Sequence, residues 1–259
     1  MNKHYYLLHI QYLGFRFHGW QKQKDVKTIH LMIDKTVRFV LGHDDFKTLG
    51  TSRTDALVSA NQSAFELFLK EEIDESEFLK EMNKNLPSDI KITDIKEVDN
   101  KFNIINTPKI KEYLYLFSFG EKAHPFSSSL MSSFTYELDI ELMKKGANLF
   151  LGMHNFRRYC TKPSEKTNFH REMIVSEIVE NDIYKANFFP EKSYLFRIKS
   201  SGFMRNQVRL MMGQLLMLGR GDINLEELEI SLSGDEESPF NYIAPASGLI
   251  LNSIDYIED

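Results

Sequence analysis

Strand-like and helix-like runs alternate along most of the chain, and this alternation limits the possible folds more than any other feature. Residues 5–12 and 112–119 are rich in aromatic and branched side chains, as is typical of strands. Residues 28–41 instead place apolar side chains at helical spacing, between a Thr28 cap and a Gly42 stop. The interleaving predicts a single class of fold, in which α and β elements are mixed.

The second half of the chain echoes the first. Further strands are predicted at 63–69, after Pro87, and at 173–179, 193–199 and 244–256, and further helices at 74–83, 141–150 and 202–218. Gly219 is expected to end the last of these helices as a left-handed cap. We therefore predict an α+β fold of two similar halves, residues 1–105 and 106–259.

The charge of the chain is unevenly distributed. Its net charge is −5, but residues 221–259 contain ten acidic and no basic side chains. Residues 1–60 contain nine basic and five acidic side chains. The overall charge therefore does not exclude a polyanionic partner such as a nucleic acid.

The segment RRYCTKPSEKTNFHR, residues 157–171, is the strongest candidate for such contacts. Five of its side chains are basic, one is acidic, and Tyr159, Phe169 and His170 lie among them. Runs of charge usually form solvated loops, which is one interpretation. Aromatic rings between cations also suit a surface that neutralises phosphate and stacks on bases.

Cysteine and histidine usage favours neither disulfides nor metal binding. Cys160 is the single cysteine, which excludes an internal disulfide and suits a reducing compartment, so we expect a cytoplasmic protein. His18, His154 and His170 lack the spacing of metal ligands. We also expect a soluble chain without a targeting signal or membrane span.

The stretch GTSRTDALVSANQ, residues 50–62, contains one arginine and one aspartate, and its other residues are small, polar or apolar. Asp55 could be a turn former that bonds to its own backbone. Alternatively, it could be an ionised group in a pocket, which would need a nearby guanidinium from Arg53 or Arg209. Such a neighbour would lower the aspartate pKa by about 1–3 units and hold it as a nucleophile or base.

Seven segments in order resemble the signature blocks of the tRNA pseudouridine synthase A family, TruA. They run from residue 12 to residue 256, nearly the whole chain. They are YLGFRFHGWQKQ (12–23), GTSRTDALVSANQ (50–62), NLPSDIKI (85–92), KEYLYLF (111–117), FLGMHNFRRYC (150–160), FRIKSSGFMRNQVRLMMGQLLMLGRG (196–221) and APASGLILNSIDY (244–256).

The resemblance implies a fold of two related, ferredoxin-like αβ halves with antiparallel sheets around a central RNA-binding cleft. It also implies a homodimer without metal or organic cofactor that converts uridine to pseudouridine in tRNA, at positions 38–40 of the anticodon stem-loop. By motif position, Asp55 is expected to be catalytic, with Arg209 as its ionic partner. The same positions imply substrate contacts from Tyr113, which would stack on the target base, and from Arg53, His18, Gln21, Phe203, Arg157 and Arg158.

The sequence also departs from the family pattern around the aspartate. Ser52, Leu57 and Ser59 stand where the family usually has Gly, Gly and His. A leucine where glycine can adopt a positive φ could shift the loop that carries Asp55. The alternative hypothesis is therefore a non-catalytic tRNA-binding or RNA-folding protein on the same scaffold.

Overall fold

The computed structural model describes residues 3–234, 236 and 238–257, and it confirms the predicted α+β class. The chain forms two compact units: Met1–Lys109 together with Leu251–Asp259, and Ile110–Ile250. The sequence-based division into related halves at residues 105 and 106 stays a prediction. Among the described helices, none combines the length and the apolar character that a membrane span requires.

The first unit follows the element order of a ferredoxin-like motif, β-α-β-β-α-β. Its elements are β1 (His4–Tyr12), α1 (Ile29–Leu41), β2 (Lys47–Gly50), β3 (Ser59–Leu69), α2 (Glu75–Asn85) and β4 (Ile90–Val98). Strand β1 lies between β4 and β3 and is antiparallel to both, while β2 pairs with the other edge of β3. The final strand of the chain, β10 (Leu249–Tyr256), also pairs with β3.

Helices cover one face of the strands in this unit, and the other face is partly open. On β4, Ile90, Ile92 and Ile95 are buried, whereas the residues between them are exposed. Helix α2 packs on β4 and on α1. The exposed side chains of β4 therefore belong to the face that the helices leave open.

The strands of the second unit are also mainly antiparallel. Its elements are β5 (Lys109–Phe119), β6 (Ser132–Phe134), α3 (Ile140–Leu149), β7 (Gly152–Asn155), β8 (His170–Glu180), β9 (Tyr194–Ser200), α4 (Gln207–Arg220) and α5 (Leu225–Ile230). The strand order is β5-β9-β8-β7, and the short β6 runs parallel to β5. Helix α3 packs against both β8 and α4, so the apolar face of α4 is buried within this unit.

Local capping signals explain where α1 begins and ends. The Thr28 side chain accepts a hydrogen bond from the Leu31 amide at 3.3 Å, and Gly42 adopts φ of +74°, as the sequence predicts. The predicted end of α4 is wrong, because the left-handed cap is Gly221, with φ of +77°. Gly219 lies inside the helix, where an added Cβ would sit 2.6 Å from the sulfur of Met143.

Candidate active site

Asp55 lies half-buried in the loop that joins β2 to β3. Two backbone hydrogen bonds hold this loop against the segment that follows β1. The Trp20 amide donates to the Thr54 carbonyl at 3.1 Å, and the Leu57 amide donates to the Phe17 carbonyl at 3.1 Å. These bonds bracket Asp55 along the chain, so its backbone is fixed on both sides.

A buried hydroxyl pair adds a third attachment. The side-chain oxygens of Tyr12 and Thr54 lie 2.8 Å apart in the interior. Burial raises the pKa of Tyr12 well above its usual value, although the hydrogen bond to Thr54 opposes part of that rise. Tyr12 therefore stays neutral at physiological pH, and its hydroxyl acts as a structural group.

Two glycines permit this close packing. An added Cβ at Gly14 would lie 2.0 Å from the Val58 carbonyl oxygen, and one at Gly50 would lie 2.3 Å from the Trp20 ring. Both positions therefore require the absence of a side chain. The first two signature blocks of the sequence consequently form one packed substructure with Asp55 at its surface.

The structure accommodates two of the departures from the family pattern. Leu57 adopts φ of +69°, so the chain retains the left-handed conformation that glycine would favour. Ser59 is buried, and its hydroxyl accepts a hydrogen bond from the Gly14 amide at 2.9 Å. These two residues support the loop in a conformation that displays Asp55.

The second unit contains three predicted site residues, two of which are in contact. Tyr113, on β5, meets the ring of Phe203 edge to face, with the ring centroids 5.1 Å apart. Arg209 lies in the first turn of α4, half-buried, and its Nε donates to the Ala244 carbonyl at 2.8 Å. Tyr115 shares a sheet face with Tyr113, and the Arg209 guanidinium opposes the burial that raises the Tyr115 pKa. Tyr113 and Phe203 thus form an aromatic pair, and the Arg209 guanidinium acts on the neighbouring buried Tyr115.

Asp55 and Arg53 belong to the first unit, whereas Tyr113, Phe203 and Arg209 belong to the second. Arg53 is exposed beside Asp55. The ionic partnership between Asp55 and Arg209 stays a prediction. So does the stacking of Tyr113 on a base.

His18 and Gln21 are exposed in the segment between β1 and α1. The backbone at His18 is well held: its amide donates to the Lys27 carbonyl at 2.9 Å, and its carbonyl accepts from the Gln23 side chain at 2.9 Å. His18 therefore projects from a well-held backbone, and the roles of both residues stay predictions.

The basic segment 157–171 divides into different environments. Arg157 stacks over Phe169, with the guanidinium carbon 5.1 Å from the ring centroid. Arg158 instead lies 4.2 Å from the Phe240 centroid and pairs with Glu236 at 2.7 Å, so a phosphate would compete with protein partners there. Tyr159 is fully buried, and its hydroxyl lies 2.6 Å from that of Ser231. Its ring is therefore not available for base stacking, which corrects the sequence-based expectation for this aromatic.

Sequence reasoning missed a buried charge cluster on the opposite face of β5 from Tyr113. The Glu112 carboxylate accepts hydrogen bonds from Arg197 and from Lys199, the latter at 3.0 Å. Burial pushes the Glu112 pKa up, but the two cations outweigh burial and hold it below its usual value. The alternation of EYLYLF carries a weak signal of this cluster, because Glu112 falls on an otherwise apolar face.

Possible metal ligands are dispersed in the described part of the chain. No three His, Cys, Asp or Glu side chains there come together in a way that could hold an ion. Cys160 is buried, and burial raises the pKa of its thiol.

Comparison with known proteins gives consistent matches. A family model described as tRNA pseudouridine synthase matches residues 147–257, and a model of an uncharacterised protein conserved in bacteria matches residues 57–183. A Bacillus thuringiensis protein named tRNA pseudouridine synthase A 2 is 31% identical, over 97% of this chain and 99% of its own length. The tRNA pseudouridine synthase A proteins of Dictyoglomus thermophilum and Acetivibrio thermocellus are 33% and 32% identical, each over 95% of this chain and 97% of their own lengths.

Proposed function

Because the chain belongs to the tRNA pseudouridine synthase A family and is an isomerase, we propose that it modifies uridines 38–40 of the tRNA anticodon stem-loop, with Asp55 as the reacting carboxylate. The observation that carries the proposal is the loop around Asp55. Backbone bonds from Trp20 and Leu57 hold it on both sides, so one carboxylate is presented from a rigid support.

The reaction is an isomerisation whose atoms balance without a co-reactant. The C1′–N1 glycosidic bond breaks, the uracil turns in place, and C5 bonds to C1′. C5 then loses a proton, and N1 gains one. Asp55 either attacks the sugar and is later displaced by the base, or removes a sugar proton and later returns it.

The remaining predicted residues would bind and orient the nucleotide. The target base must leave its stack, which costs a few kcal/mol, and needs an aromatic surface to receive it. The edge-to-face contact with Phe203 holds the Tyr113 ring, which supports its assignment to that surface. Arg209 is the proposed ionic partner of Asp55, and Arg53, His18, Gln21 and Arg157 are proposed to contact the RNA.

The non-catalytic alternative was motivated by Ser52, Leu57 and Ser59. The positive φ of Leu57 and the hydrogen bond to Ser59 keep the loop in a supported conformation. These two substitutions therefore give no structural reason for lost activity. Homodimerisation and a cytoplasmic location stay predictions.

The test is chemical mapping of pseudouridine in tRNA transcripts after incubation with the full chain. We expect product at one or more of positions 38–40, and none after Asp55→Asn. The variant should bind tRNA within about threefold of the original chain, because phosphate contacts dominate affinity. Asp182→Asn, at an exposed position, is the matched control and should retain activity. Product formation by Asp55→Asn at an unchanged rate would remove the proposed mechanism.

A further inference from the structure

A polar cleft lies on the open face of the sheet in the first unit. Its volume is about 460 Å³, and its lining side chains come from β1, β3, β4 and β10. All of them are polar, and none is a lysine or an arginine. This composition differs from the mainly apolar lining of sites that enclose small molecules.

A β-bulge builds one wall of the cleft. The pairing of β1 with β3 shifts register between Ile10 and Tyr12, opposite Asn61 and Gln62. Consecutive residues of a regular strand point to opposite faces, yet both Asn61 and Gln62 line the cleft, together with Gln11. The bulge therefore turns two neighbouring amides toward the same space.

A second bulge builds the opposite wall. The pairing of β1 with β4 shifts register between His9 and Ile10, and the consecutive residues Thr93 and Asp94 both line the cleft. His9 lies directly across from Asp94. Burial lowers the His9 pKa, although Asp94 opposes this, so the ring is a neutral donor and acceptor near pH 7. Bulges on both sides of one strand concentrate hydrogen-bonding groups at a single place.

Internal hydrogen bonds already order part of this lining. The Asn61 side-chain nitrogen donates to the Asn252 side-chain oxygen at 2.8 Å, and the Gln62 nitrogen lies 3.4 Å from His9 Nδ1. An amide whose nitrogen bonds a neighbour can still accept with its oxygen, as Gln62 can here. The cleft thus offers oriented donors and acceptors at little entropic cost.

Positive charge flanks the cleft without entering it. The register places Lys91 opposite Gln11 and Lys96 opposite Leu7, so both lysines share the open face with Asp94 and lie on either side of it along β4. Both are exposed. A carboxylate between two lysines disfavours phosphate in the centre and favours it at the rim.

We propose that this cleft binds the sugar edge of an RNA nucleotide other than the one that reacts. Its amides and the Asp94 carboxylate would contact a 2′-hydroxyl and a base edge, while Lys91 and Lys96 meet the adjoining phosphates. Hydroxyls and base edges in a shallow groove are the features by which proteins recognise RNA. The inference rests on the proposed function only in taking tRNA as the RNA.

Binding measurements with the full chain test the proposal independently of catalysis. Gln11→Ala should weaken tRNA binding about fivefold, the effect of losing one hydrogen bond. Asn85→Ala, an exposed asparagine on α2, is the control and should leave the affinity unchanged. Gln11 is exposed, so thermal unfolding should show the variant folded. An affinity equal to that of the control would overturn the assignment.

A scan of single 2′-deoxy substitutions in the tRNA identifies the ligand atoms. At least one substitution should weaken binding to the original chain about fivefold and have no further effect on Gln11→Ala. Equal losses in both chains at every position would contradict the proposal. Titration of free uridine and guanosine, followed by NMR of the side-chain amides, distinguishes a free nucleoside site. Saturable nucleoside binding that Gln11→Ala removes without changing tRNA affinity would also overturn it.

Repeating the binding series in the Asp55→Asn chain separates the two proposals. If the original chain forms no pseudouridine but the Gln11 effect persists, the proposed function fails while the RNA cleft stands. If pseudouridine forms and Gln11→Ala binds like the control, the cleft assignment fails alone.

Discussion

The buried hydroxyl groups of Tyr12 and Thr54 lie 2.8 Å apart, and Thr54 immediately precedes Asp55 in the chain. This bond joins the end of β1 to the loop that presents the carboxylate. Breaking a buried hydrogen bond of this kind is costly, because each hydroxyl group would then lack a hydrogen-bond partner in the interior. The position of Asp55 is therefore tied to the interior of the first unit.

Replacing Tyr12 by phenylalanine should affect both stability and catalysis. The Thr54 hydroxyl would lose its partner, so we expect the free energy of unfolding to fall by about 1–2 kcal/mol. The loosened loop should lower the single-turnover rate severalfold while tRNA affinity stays within about twofold. Urea unfolding and rapid-quench product mapping measure the two effects. Tyr5→Phe, on the same strand, is the control, and equal behaviour of both variants would refute the role given to this bond.

Leu57 adopts φ of +69° and exposes 38% of its surface. Burial of its side chain therefore contributes little stability to offset the cost of the left-handed backbone. Leu57→Gly should raise the free energy of unfolding by about 0.5–1 kcal/mol, since glycine adopts this conformation without strain. The neighbouring Ala56→Gly should lower it by about 0.5–1 kcal/mol, because only chain entropy changes there. Thermal unfolding of the two variants gives the comparison. A loss of stability in both would contradict strain at Leu57.

The ends of α1 could be predicted from local sequence signals. The end of α4 could not, because it depends on packing between distant parts of the chain. Thr28 and Gly42 act through contacts within a few residues, so their roles could be seen in the sequence. Both Gly219 and Gly221 could have ended α4, and the choice depends on the approach of Gly219 to Met143. Such a contact joins elements distant in sequence, which periodicity does not reveal.

Some features of the candidate site could likewise be predicted from the sequence, and others could not. Motif order identified Asp55 as the candidate acid, but the hydrogen bond from Trp20 and the close approach of Gly14 to Val58 depend on tertiary structure. The burial of Tyr159 could not be predicted either, since two arginines precede it in the sequence. The bulge at Asn61 and Gln62 leaves no mark in the sequence, because register is a property of strand pairs.

Arg157 and Arg158 should respond differently to alanine substitution. Arg158→Ala removes the stacking on Phe240 and the pair with Glu236, so we expect the free energy of unfolding to fall by about 1 kcal/mol. Arg157→Ala should instead weaken tRNA binding about threefold and reduce the salt dependence of binding by about one phosphate contact. Affinity measured between 50 and about 200 mM salt, beside thermal unfolding, distinguishes them. If Arg158→Ala lost more tRNA affinity than Arg157→Ala, Arg158 rather than Arg157 would be the residue that contacts the RNA.

Glu112→Gln should destabilise the chain in a pH-dependent manner. Its carboxylate side chain is 7% exposed and holds two cations, Arg197 and Lys199, whose side chains are 39% and 24% exposed. Because the cations are partly solvated, we expect a loss of about 2 kcal/mol at pH 7, below the value for a fully buried pair. The folded-state pKa of Glu112 lies below its unfolded value of about 4.3, so the carboxylate contributes its full stability above that pH.

That contribution disappears as pH falls through the lowered pKa of the folded state, where the original side chain becomes neutral like glutamine. The difference between the two chains in the free energy of unfolding should therefore be largest above about pH 4.3 and shrink below it. Urea unfolding from neutral to acidic pH measures this difference. Glu77→Gln, which breaks an exposed pair with Lys80, is the matched control and should cost no more than about 0.5 kcal/mol throughout. A difference for Glu112→Gln that stays constant or grows on acidification would mean that the cluster does not depend on the ionised carboxylate.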